Sequence, residues 1–189
     1  MSRGVSQKTK RMTISAMLSA LGVALLFISG LIETLDLSMA ALASFFCIFA
    51  VIELGGAYPW LIFAVTGALS LIIMPQNTGG WFYILFFGYY PILKEKFEKL
   101  SKPIAWTIKI VLVNVAMVIC VVLASFVFYG GNMISAIIGL FGAEDFGKYA
   151  VIIMYLLLNV VFVVYDIALT RLISYYFVKL RPRFRFLNK

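Results

Sequence analysis

Residues 8–30, KTKRMTISAMLSALGVALLFISG, constrain this chain more than any other stretch. Three cations, Lys8, Lys10 and Arg11, run straight into an apolar segment, and no acid follows until Glu33. The segment is long enough to cross a bilayer. No convincing cleavage site follows it, so it reads as a span rather than a secretory signal. Ala16, Ala20 and Ala24 recur every fourth residue and therefore share one face of a helix. In lipid, where packing rather than the hydrophobic effect drives helix association, such a face lets a second backbone come close. The plainer reading is that alanine is simply common in membrane helices.

Composition extends the constraint to the whole chain. Hydrophobic residues make up 63% of 189 and charged residues only 13%, far from a soluble domain. The expected fold class is an all-α integral membrane protein: one domain, residues 1–189, built as a six-transmembrane-helix bundle. The net charge of +8 does not point to nucleic acid. The cations flank apolar runs, where the positive-inside rule accounts for them.

Six apolar segments are expected, at about residues 12–32, 38–54, 57–74, 81–93, 104–129 and 149–178. Residues 1–11 and 179–189 form short basic tails. Pro75-Gln76-Asn77-Thr78-Gly79-Gly80 is the clearest loop. Residues 130–148 form a glycine-rich connection with an apolar middle. The fourth segment is short, so it starts in the interface or continues past the lipid as KEKFEKLSK. Cations cluster in three places, residues 1–11, 94–102 and 179–189, and a six-span arrangement puts all three on one side. By the positive-inside rule that side is the cytoplasm, with both termini on it, as expected for a multi-pass protein of the cell membrane.

Polar residues within spans are costly and each needs a reason. Asn114 and Asn159 both come out near mid-depth, at about 1.5 Å of rise per residue. Lys109 and Asp166 both fall in the cytoplasmic third, so an ion pair is expected beneath an Asn–Asn layer. Tyr155 and Thr170 lie near the face carrying Asn159 and Asp166. Asparagines on neighbouring helices often only bond one another, and a Lys–Asp pair can be a packing lock. Among the aromatics, Tyr58 and Trp60 suit an interfacial belt. Trp81, beside the loop carrying Asn77, fits either that belt or a stacking wall over a flat ligand.

Chemistry is sparsely represented. With no histidine in the chain, histidine-ligated metals and histidine bases are excluded. Cys47 and Cys120 each lie inside an apolar span and read as small buried hydrophobes. Glu33, Asp36, Glu144 and Asp145 fall in loops, where charges are usually solvated. No nucleotide-binding, hydrolase or zinc-protease motif occurs, so the chain reads as no enzyme, with no cofactor and no metal.

These features together resemble the substrate-binding (S) subunits of energy-coupling factor transporters. The resemblance covers nearly the whole length, in span number, termini and basic ends. It is carried by Ala16, Ala20 and Ala24 after KTKR, by the short fourth span ending in KEKFEKL, and by DIALTRLISYYFVKLRPR. It implies capture of a small nutrient, such as a vitamin, without matching any particular one. It also implies that the alanine face docks on a transmembrane coupling (T) subunit and, through it, on two ATPase subunits. A substrate site would then draw on Asn77, Trp81, Asn114, Tyr155 and Asn159. Two other classes fit: a cell-envelope scaffold resembling the rod-shape-determining membrane subunit, and a lipid-handling protein. A cavity lined by Trp81, Asn114 and Asn159 would favour transport, and a tightly packed bundle scaffolding.

Overall fold

A computed structural model describes residues 2–128, 130–132 and 150–180. Among these, every regular element is helical. The helices are α1 (Ser2–Leu31), α2 (Asp36–Glu53), α3 (Tyr58–Ile73), α4 (Thr78–Phe82), α5 (Tyr90–Phe97), α6 (Lys102–Phe128) and α7 (Ala150–Tyr175). Four stretches are long and apolar enough to cross a membrane: Gln7–Leu31, Asp36–Glu53, Lys102–Leu123 and Tyr155–Lys179. α3 is apolar but shorter, at 16 residues. The expected connection at 130–148 and the tail at 179–189 fall almost wholly outside the described residues.

The chain divides into two compact units, Met1–Val111 and Leu112–Lys189. In the first, α1 packs along α2 and α3, and α2 also packs on α4 and α5. α1 buries Ser15, Ser19, Gly22, Leu26 and Ser29, a stripe at the three- and four-residue spacing of one helix face. Four of those five are small, so the α3 backbone can come close: a Cβ on Gly22 would lie 2.8 Å from Thr66 Cγ2. Ser15 and Ser70 satisfy their hydroxyls on the carbonyls of Arg11 and Gly67, at 2.9 Å each. Such internal bonds are needed where no water reaches.

Gly55 and Gly56 make the reversal between α2 and α3 with φ of +62° and +59°. That is a left-handed conformation open to glycine at little cost. Pro59 then occupies the first turn of α3, where its missing N–H has no helical partner to lose.

Two expectations change. Residues 2–11 are no separate tail, because α1 runs unbroken from Ser2 through them into the apolar stretch. Nothing in residues 2–31 interrupts a helix, since no proline occurs there and alanine, leucine and methionine abound. The fourth apolar segment is not one helix either. It is α4, a π-helical turn at Tyr83–Phe87, and α5. Pro91 opens α5 without an N–H to give, and Gly88 N–H reaches back five residues to Tyr83 O, at 2.7 Å. α5 then carries the helix on through KEKF.

This interrupted segment is anchored on its neighbours by aromatics. Tyr83 is fully buried, its ring 6.0 Å from that of Phe63 and its hydroxyl 3.2 Å from Cys47 Sγ. Replacing Gly22 with Leu is expected to force α1 away from α3 and cost about 1–3 kcal/mol, as overpacking does. A lower unfolding temperature of the purified protein in mild detergent measures this.

Candidate functional site

The polar residues of the first unit gather where α1 ends and α4 begins. Asn77 takes up an extended conformation just before α4, with φ −72° and ψ 110°, as an N-cap residue does. Its Oδ1 accepts from Gly79 N–H at 2.8 Å and Gly80 N–H at 3.4 Å. Its Nδ2 donates to Leu26 O in the last turns of α1. Ser29 Oγ lies 3.2 Å from Asn77 Oδ1 and donates to Asp36 Oδ1 at 2.6 Å. One buried asparagine therefore caps α4 and ties it to α1, while Ser29 links the same point to the start of α2.

Asp36 is not simply solvated, as its loop position suggests, because the turn of Glu33–Leu35 brings its carboxylate back onto Ser29. The clasp is tight at Gly79 as well, where a Cβ would collide with Ser29 Oγ. Gly79 and Gly80, expected in a loop, lie in the first turn of α4 for this reason. Trp81 is half-buried and donates its indole N–H to Pro75 O at 3.0 Å, bracing the loop it follows.

Beneath the clasp lies a cleft lined by Val23, Leu26, Phe27, Ser70, Ile73, Met74 and Asn77. Its volume is about 10 Å³, room for a single water. Pockets that enclose small organic ligands run to hundreds of cubic ångströms. Ser29, Asp36, Ser70 and Met74 belong to this place too, though residue order by itself does not mark them for it. Only the Ser29–Asp36 pair, seven residues apart across a tight reversal, carries a local hint.

In the second unit Asn114 and Asn159 meet. Each carboxamide donates to the other, at 3.3 Å in both directions, and Asn159 also donates to Tyr155 O at 2.9 Å. The Tyr155 side chain does not join them, since that residue is 48% exposed. Trp81 and Asn77 lie in the first unit, so neither unit by itself contains the full set of expected binding residues. Lys109, in the first unit, is buried with its ammonium 5.3 Å over the Trp106 ring. Asp166, in the second, is also buried, and its carbonyl accepts from Thr170 Oγ1 at 2.9 Å. Among the described residues no three His, Cys, Asp or Glu side chains cluster to hold a metal.

Ala16, Ala20 and Ala24 are all exposed, flanked by the exposed Met17 and Leu21, on a side of α1 turned away from the packed stripe. No protein-family model matches the chain, and no curated protein or solved structure does so either.

Two outcomes follow from this geometry. Asn77→Ala removes the cap of α4 and its tie to Leu26 O, and is expected to cost about 1–2 kcal/mol of thermal stability. Asn77→Asp, which keeps the accepting oxygen for Gly79, should cost less if the cap carries most of the effect. For the asparagine pair, a double-mutant cycle with Asn114→Ala and Asn159→Ala should give a coupling of about 0.6–1.7 kcal/mol, read from unfolding in detergent. Full additivity would show that the pair contributes nothing to stability.

Proposed function

We propose that this protein is a membrane-embedded subunit that works by docking through Ala16, Ala20 and Ala24 against a helix of a separate partner. One observation carries the reading: these alanines lie exposed on α1 while the helix spends a different stripe on its own core. A small-residue face fits a partner that must move, because large interlocking side chains hold two helices in one register. The most specific form is the substrate-capture subunit of an energy-coupling factor transporter. In that form six spans leave both termini in the cytoplasm, the partner is the transmembrane coupling subunit, and the ATPases supply the energy. A small nutrient then enters from the outer side beneath the residue 75–80 loop. The Asn77 clasp and its 10 Å³ cleft would be the closed condition of that entrance.

The second reading is a cell-envelope scaffold, which needs a docking face but no pocket. It is favoured by the same cleft, by the engagement of the Asn77 and Trp81 side chains within the protein, and by the mutual bonding of Asn114 and Asn159.

The deciding experiment compares the native chain with Ala20→Trp after gentle purification from membranes, identifying co-purifying proteins and small molecules by mass spectrometry. Docking through the alanine face requires the variant to stay folded and to lose its partner at least tenfold. An unfolded Ala20→Trp protein would place the ladder in a core and end the docking reading. A partner assembly that contains ATPases, together with a retained nutrient, supports capture. A partner without either supports the scaffold.

A further inference from the structure

Another face of α1 carries a charge arrangement that the docking reading does not use. α1 is 30 residues long, roughly 45 Å at 1.5 Å per residue, and its apolar part begins at Gln7. The stretch Gln7–Leu31 alone measures roughly 37 Å against a hydrocarbon core of about 30 Å. The only charges in that stretch, Lys8, Lys10 and Arg11, lie in its opening turns, which assigns the excess length to this end, at the level of the lipid headgroups.

Helical spacing puts Lys8 and Arg11 three residues apart on one face, directly in line with the buried Ser15 and Ser19. Residues at that spacing have Cβ atoms about 5–6 Å apart, so two like charges repel. Both side chains are exposed, and among the described residues neither makes an ion pair. No acid lies on α1 to neutralise them. The acids that α2 and α5 bring to the same end of the unit are already engaged. Glu98 pairs with Lys94 at 3.0 Å, Glu95 with Lys99 at 3.2 Å, and Glu53 has an interaction within the protein.

We infer that Lys8 and Arg11 form a binding site for the phosphate of an anionic phospholipid headgroup, which holds the opening turns of α1 helical at the membrane surface. An anion between the two cations turns their repulsion into a shared attraction. Its depth matches, since the pair sits where the apolar stretch begins. Two donors of different shape suit a phosphodiester: the guanidinium can grip two oxygens, and the ammonium acts as a point charge. The site is independent of the docking face, because Lys8 and Arg11 lie on the side of α1 turned away from Ala16, Ala20 and Ala24.

The test is amide hydrogen exchange over residues 2–11 of the full chain in nanodiscs of phosphatidylcholine alone or with one-third phosphatidylglycerol. The site requires exchange at least tenfold slower in the anionic discs, with the difference shrinking in high salt as screening dictates. Lys8→Gln with Arg11→Gln should abolish the difference, while Lys96→Gln with Lys102→Gln, also exposed and basic, should keep it. Equal exchange in the two lipids would overturn the site. So would loss of the difference in the Lys96/Lys102 control, which would mean general surface charge. Protection restored in neutral discs by inorganic phosphate would overturn the headgroup assignment, making free phosphate the ligand.

Discussion

The close approach of α1 to its neighbours is the contact on which the first unit depends. In lipid there is no hydrophobic force to push helices together, so the gain comes from van der Waals contact between backbones that can come near. Ser15, Ser19, Gly22 and Ser29 remove bulk along one stripe of α1, and Leu26 fills the remaining gap. The same contact places Leu26 O and Ser29 Oγ within reach of Asn77. Without that proximity Asn77 would keep its cap bonds to Gly79 and Gly80 but lose its ties to α1, and the start of the interrupted fourth segment would not be anchored there.

α1 divides its faces between packing and exposure. Residues turned toward α2 and α3 are small and partly polar: Ser15 donates to Arg11 O and Ser29 to Asp36 Oδ1, while the buried hydroxyl of Ser19 finds no hydrogen-bond partner among the described residues. Ala16, Ala20 and Ala24, turned elsewhere, offer an equally smooth surface with no polar group to satisfy, so that face can meet lipid or another helix at little cost. This separation leaves an exposed small-residue face on a helix that still packs well against its own unit. A chain that used its alanines for its own core would have nothing comparable to present.

The asparagine pair of the second unit shows a related economy. A carboxamide in a membrane has both donors and acceptors to satisfy, and a second carboxamide on a facing helix matches it in kind. Asn114 and Asn159 answer one another, and the second donor of Asn159 turns back onto its own helix at Tyr155 O. Such a pair favours one register of α6 against α7, because sliding either helix by a turn would break both bonds between the carboxamides.

Much of the architecture could be read from residue order alone. Apolar run length located the long helices, Gly55-Gly56 and Pro75–Gly80 marked reversals, and the register of Asn114 and Asn159 followed from rise per residue. These are local or one-dimensional properties: span length depends on bilayer thickness, and turn residues act through their own φ and ψ. The sequence also placed Ala16, Ala20 and Ala24 on one helix face, but it could not say which of two small-residue faces turns inward. Packing against α2 and α3 turns the stripe of Ser15, Ser19 and Gly22 inward, where Thr66 closes to within 2.8 Å of where a Cβ on Gly22 would lie. Nor could spacing show that Asn77 also meets Ser29 and Leu26 O, since α1 brings those two partners to it from 48 and 51 residues away in the chain. The sequence by itself determined where the long apolar helices lie and where polar groups enter them, but not that residues 2–11 continue α1 or that the fourth apolar segment breaks at Tyr83–Phe87. Only the tertiary structure decided which faces are spent on the core and which polar groups are left to meet something else, because both depend on distances between helices that no single helix contains.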